Sequence, residues 1–182
     1  MTPLTALAAR AAAQHHVITT AQLRALGVSK DGIRHLVATR RLFRIHRGVY
    51  AFGRPDLTRE GRWYAAVAAS PAAAALGLYS AAVRAKLLDE EGDRPHVIVP
   101  MGSSYRGPGG VVLHRSTTFR EADVEVRDAI RAISVLRTLS DLALTSLGDS
   151  ALNRAVRQAG RLHHADLQRL RGKPRLDRIV RL

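Results

Sequence analysis

Val17–Phe52 reads VITTAQLRALGVSKDGIRHLVATRRLFRIHRGVYAF, and its punctuation decides the fold. Thr19 offers a hydroxyl N-cap, and Gln22, three residues on, completes a capping box ahead of a short helix through Leu23 to Leu26. Gly27 supplies a left-handed stop, and Ser29 caps a second helix whose Ile33, Leu36 and Val37 recur at helical spacing and are expected to face a core. From Phe43 the pattern moves towards period two: Phe43 and Ile45 alternate with Arg44 and His46, Arg47-Gly48 turns, and Val49–Phe52 returns. Gly48 is the residue there able to take positive φ without steric cost. An alanine-rich segment, Leu4–Gln14, reads as a helix preceding this unit. Three helices and a basic hairpin, closed by Gly53-Arg54-Pro55, predict a winged helix-turn-helix over residues 1–54.

Residues 55–182 predict a second unit, an α/β domain with a small mixed or antiparallel sheet packed by helices, so the chain as a whole is α+β. Thr58 caps a helix through Trp63 and Val67, Ser70-Pro71 breaks it, and a second helix is expected around Tyr79–Leu88. Strands follow at Pro95–Pro100, Val111–Ser116, Val124–Arg127 and Ala129–Ile133, with MGSSYRGPGG as turn chemistry between the first two. Ser134 caps a helix carrying Val135, Leu136, Leu139, Leu142 and Ala143, which Gly148 should stop. A further helix spans Ala151–Ala159, a short last one lies near Ala165–Leu170, and Gly172 and Pro174 mark the expected end of order.

Composition narrows the function. The chain has 182 residues and a net charge of +14, unevenly placed. Residues 1–54 carry nine Lys/Arg against one acid, residues 55–153 eleven against twelve, and residues 154–182 nine against two. Two basic ends around a neutral middle favour polyanions through attraction and counterion release. A general preference for Arg over Lys accounts for the residue type, not for this segregation. The absence of cysteine excludes disulfides, thiolate zinc sites and a cysteine nucleophile, and suits a reducing cytoplasm. Arg10 interrupts the only N-terminal apolar run, so no secretory signal is expected. Trp63–Val83 carries no charge, but Pro71 and Gly77 break it, so no membrane span is expected.

In a helix-turn-helix the second helix enters the major groove and the wing tracks phosphate or the minor groove. The face opposite Ile33, Leu36 and Val37 presents Asp31, Arg34, His35 and Ala38, with Lys30 on its flank. Arg34 has the planar fork that matches guanine O6/N7, and His35 can donate or accept at a base edge. Asp31 repels phosphate unless it meets a cytosine amine or neutralises Lys30 or Arg34, which favours sequence reading over indiscriminate coating. Arg40 and Arg41 at the helix end, with Arg44, His46 and Arg47 in the wing, fit phosphate contact. The alternative for these cations is dipole complementation and a solvated edge. A secondary basic face, Arg154, Arg157 and Arg161 at i, i+3 and i+7, fits either DNA backbone or a protein or RNA partner, or is a solvated helix surface.

Nothing else points to chemistry. Adjacent histidines, His15-His16 and His163-His164, point about 100° apart on a helix and make no chelate alone, so no metal site is assigned. Asp89-Glu90-Glu91-Asp93 reads as a solvated turn, no G-x-S-x-G frames a nucleophile, and the Gly102–Gly110 loop lacks a phosphate-binding G-K-[ST] ending. No catalytic residue and no cofactor is assigned. A non-catalytic protein- or RNA-interaction module with basic ends is the rival to DNA binding, and an enzyme ranks third.

The run from Val17 to Phe52 resembles the N-terminal winged-helix domain of the AbiEi-type antitoxins, the abortive-infection transcriptional regulators. HVIVP, VVLHRS, DVEVRDAIRAIS and VLRTLSDLAL look like the post-wing portion of actinobacterial proteins carrying that domain, so the resemblance covers most of residues 15–145. It implies a repressor that binds double-stranded DNA at inverted repeats near its own promoter. It also implies a type IV antitoxin opposing a nucleotidyltransferase-like toxin without necessary direct contact. Carried over by position, DNA contact falls on Lys30, Arg34, His35, Arg44 and Arg47. Many similar proteins continue into a nuclease-like domain, and residues 1–182 contain no stretch expected to supply one.

Overall fold

The computed structural model describes residues 3–180. The first helix, α1 (Pro3–Ala12), ends where His15 and His16 both take positive φ and turn the chain into a short strand, β1 (Val17–Thr19). Thr19 then caps α2 (Thr20–Ala25) through the expected capping box: its hydroxyl accepts from the Gln22 backbone N–H, and the Gln22 side chain accepts from the Thr19 N–H. The Ser29 hydroxyl likewise accepts from Gly32 at the start of α3 (Lys30–Ala38). Strands β2 (Leu42–His46) and β3 (Val49–Phe52) form the expected antiparallel hairpin, with a register shift between Arg44 and His46. β1 was not anticipated, because three residues show no period; it pairs with β3 and completes a sheet of order β1-β3-β2.

That small sheet is covered on both faces. Ile18 and Leu42 pack with Leu7, Ala11, Leu23 and Ile33 of the three helices. On the other side Val17 and Val49 meet Ala65 of α4 (Arg59–Ala68), with Ile45, Leu57 and Tyr64 alongside. α4 approaches so closely that a Cβ at Gly61 would stand 3.0 Å from the His15 carbonyl oxygen. The winged helix therefore shares an apolar seam with the unit that follows it.

Beyond α4 the chain builds a five-stranded mixed sheet of order β6-β5-β4-β8-β7. Its strands are β4 (Ala75–Leu76), β5 (His96–Pro100), β6 (Val112–Ser116), β7 (Val124–Arg127) and β8 (Ile130–Ile133). The central strand β4 sits inside the alanine run and was not anticipated; it pairs antiparallel with β5 and parallel with β8. Helix α5 (Leu78–Arg84) is shorter than expected. Helix α6 (Val135–Leu142), capped by Ser134, packs Leu139 and Leu142 against Leu152 and Val156 of α7 (Asp149–His163). Gly148 does not stop α6, which ends earlier; it is the residue from which α7 starts. Only a 3-10 turn, Leu167–Leu170, forms where the last short helix was expected. Order continues past Gly172 and Pro174 into α8 (Pro174–Val180), because Leu176 and Ile179 are buried in the same helical core.

Arg137 of α6 ties this unit together. Only 11% exposed, it donates to both oxygens of Asp141 (2.9 and 3.0 Å), to Asp123 (3.2 Å), to the Thr118 carbonyl (2.7 Å) and to the Ser116 hydroxyl (2.8 Å). Among the described residues no buried side-chain nitrogen or oxygen lacks a partner, and no helix is long and apolar enough to cross a membrane.

Candidate nucleic-acid interface

The orientation of α3 is set by its inward side. Ile33 is buried and Leu36 half-buried against α1, α2 and the sheet. Val37 does not join them; it is 37% exposed. On a helix of 3.6 residues per turn, position 37 lies about 100° from Leu36 and on the far side of Ile33 from it, so a packing line through 33 and 36 turns Val37 outward.

Lys30, Asp31, Arg34 and His35 of α3 are all exposed, as are Arg40 and Arg41 beyond its end and Arg44 and Arg47 of the wing. Arg34 Nη1 donates to Asp31 Oδ1 at 2.6 Å, with side chains 67% and 84% exposed, so Arg34 is paired on its own helix. Among the described residues the side chains of Lys30, Arg40, Arg41, Arg44 and Arg47 form no ion pair or hydrogen bond. Their charge is available to an outside anion. His46 differs: it is half-buried, and desolvation pushes its imidazole below its ordinary pKa.

The wing is fastened to the helices. Gly48, at φ +74°, makes the turn, and its carbonyl accepts the Thr20 N–H at 2.8 Å, linking the hairpin tip to the first residue of α2. Arg40 sits at positive φ (+53°) where α3 ends; its N–H bonds the Val37 carbonyl at 3.1 Å and the Arg41 N–H the Leu36 carbonyl at 2.9 Å. This is a Schellman closure made without glycine.

The second basic face lies on α7. Arg154, Arg157 and Arg161 are exposed opposite buried Leu152, Ala155, Val156 and Ala159. Arg157 donates to Asn153 Oδ1 and Arg161 to Gln158 Oε1, both at 2.9 Å, so two of the three are held by neutral amides.

Several other polar groups are tied into the fold. His15 Nε2 donates to the Asp128 carbonyl (2.8 Å) and His163 Nε2 to the Ala85 carbonyl (2.7 Å), while among the described residues no three His, Cys, Asp or Glu stand close enough to hold a metal. Within the acidic run Glu91 is not a solvated turn residue: its carboxylate accepts the Trp63 indole N–H at 2.8 Å and the Ser80 hydroxyl, whose oxygen accepts the His96 N–H at 2.7 Å. His96 and His114, on adjacent parallel strands, share a 2.9 Å N···N hydrogen bond with their rings stacked, and Tyr79 meets His96 edge-on. Burial, with His114 and Arg94 nearby, pushes His96 down to about 4. Sequence reasoning did not reach this pair, since its only signal is strand register.

Residues 6–53, which span the three N-terminal helices and the hairpin, match the model of a family described as transcriptional regulator, AbiEi antitoxin. No curated protein matches the chain. Among solved structures, it is similar to the one titled crystal structure of RV2827C protein from Mycobacterium tuberculosis, at 18% identity, over 97% of this chain and 79% of that one, with a TM-score of 0.49.

Proposed function

We propose that this chain, with an AbiEi-family regulator domain at its N-terminus, is a sequence-specific DNA-binding repressor that occupies an inverted repeat at its own promoter in the cytoplasm. In this reading residues 1–54 grip the duplex, and residues 55–182 carry any antitoxin or interaction role, opposing a nucleotidyltransferase-like toxin without needing to touch it. The supporting observation is the set of outward cations on α3 and the wing, two elements packed on one core through Ile33, Leu36, Leu42 and Tyr50, with the Thr20–Gly48 hydrogen bond fastening the hairpin tip to α2. Lys30, Arg34 and His35 face base edges, and Arg40, Arg41, Arg44 and Arg47 take phosphates. The stripe Arg154, Arg157 and Arg161 adds a sequence-independent contact. Four engaged wing and helix-end cations give log affinity a slope of about −3.6 against log salt.

Footprinting on the DNA upstream of the gene tests it. The wild-type chain should protect a short inverted repeat, and Arg34→Ala or Arg47→Ala should abolish protection while the fold persists. Binding that ignores DNA sequence and survives both changes would instead favour a module whose basic ends hold RNA or an acidic protein. Nucleic-acid cleavage dependent on a metal and lost on changing Asp89 or Glu91 would overturn the non-enzymatic reading.

A further inference from the structure

The outer edge of the large sheet is built to pair with itself. β7 is the last strand in the order, hydrogen-bonded to β8 alone. Arg127 and Ile130 close a two-residue turn whose Asp128 and Ala129 both have positive φ (51° and 62°), the geometry in which the closing pair exchanges both hydrogen bonds. The Ser134 N–H donates to the Asp123 carbonyl at 2.7 Å, four residues along and in the same phase. Pairs 127/130, 125/132 and 123/134 are therefore the hydrogen-bonded ones, and the backbone groups of Val124 and Val126 point away from the sheet. The Val124 N–H is taken by the Glu121 carbonyl, and among the described residues the N–H and C=O of Val126 have no partner. The Val126 side chain is 65% exposed, unusual for valine.

We propose that β7 is a homodimer interface, pairing antiparallel with β7 of a second copy about a two-fold axis at Val126. That register follows from the free groups: Val126 exchanges both backbone bonds with its symmetry mate. Glu125 of each copy then stands opposite Arg127 of the other in a close, non-hydrogen-bonded pair. Glu125 forms no ion pair among the described residues, and Arg127 reaches only Asp128, at 3.9 Å. Charged residues on an edge usually repel a neighbouring strand, but here each charge meets its opposite, so the edge selects a copy of itself. Two five-stranded sheets become one of ten, and two α3 helices become related by a two-fold axis. The inference stands apart from DNA reading, because it concerns the free protein.

Sedimentation velocity over a concentration series, in low salt and without DNA, tests it. The full chain should show a reversible monomer–dimer equilibrium with a dissociation constant between micromolar and millimolar, as suits a small interface. Glu125→Arg and Arg127→Glu should each weaken it about tenfold by placing like charges opposite one another. An equimolar mixture of those two variants, and the double variant Glu125→Arg/Arg127→Glu, should both recover wild-type association. A wild-type chain that stays monomeric at about 1 mM overturns the proposal. So does association that the single changes leave untouched, or that neither the mixture nor the double variant restores.

Discussion

The α3–wing face and the α7 stripe are both exposed and both arginine-rich, yet they are built differently. On α7 three arginines lie along one helix, and two are pinned to Asn153 and Gln158. On the α3–wing face the cations come from a helix and a hairpin, and among the described residues all but Arg34 are unpaired. A single helix face offers a line of charge, which any polyanion satisfies. Two elements locked together offer a shape, which only a grooved polyanion satisfies. Charge density therefore does not distinguish the surfaces; rigidity between elements does.

The largest test sets the two faces against each other. Changing Arg34 and Arg47 together to alanine should weaken operator binding by about 100-fold or more and erase discrimination between operator and unrelated DNA, with the thermal midpoint unmoved. The triple change Arg154→Ala/Arg157→Ala/Arg161→Ala should weaken binding to every DNA sequence alike. It should reduce the salt slope by about one per arginine in contact with phosphate, read from fluorescence anisotropy across a salt series. If the triple change erased discrimination, the contrast between line and shape would fail.

A smaller effect compares the ends of the two helix-turn-helix helices. α2 closes on Gly27 at φ +80°, with the Gly27 N–H on Arg24 and the Val28 N–H on Leu23; α3 repeats that pattern with Arg40 in the glycine position. An L-residue there costs about 1 kcal/mol or somewhat more. Arg40→Gly should thus stabilise the fold by about 1 kcal/mol while lowering DNA affinity, and Gly27→Ala should destabilise it by a similar amount without touching a DNA contact. Urea unfolding and anisotropy on the same samples check both signs.

Acid should produce the mildest difference. His96 has its folded-state pKa lowered to about 4 from 6.5, so the neutral form is favoured by the fold. Below pH 6.5 the unfolded chain takes up the proton first, and stability falls as pH drops from 6.5 towards 4. His114 and the wing's His46 are shifted in the same direction by burial and add to the loss. The thermal midpoint should decline over that window, with a smaller decline for His96→Gln if the amide keeps the bond to His114; an unchanged midpoint would refute the assignment.

Features legible in the sequence were those whose partners lie close in the chain. The Thr19–Gln22 box, the Ser29 and Ser134 caps, Gly27 and the Gly48 turn each depend on contacts within a few residues, so residue type and spacing sufficed. β1 and β4 were invisible because two or three residues carry no period, and their strand character comes from β3, β5 and β8, far along the chain. Val37 fitted the apolar pattern, but the helix's packing line excluded it. Glu91 resembled its acidic neighbours until Trp63 and Ser80 gave it partners. α8 was masked by Gly172 and Pro174, and forms because the helical core needs Leu176 and Ile179.

The sequence by itself determined that residues 17–52 form capped helices and a basic hairpin, since caps, turns and periodicity act over one or two turns of chain. Tertiary structure alone decided how the wing is held against α2, which cations remain unpaired, that α4 closes over the small sheet, and which strand edge stays open. Those outcomes depend on burial and on hydrogen bonds between distant residues, and only the folded chain brings such residues together.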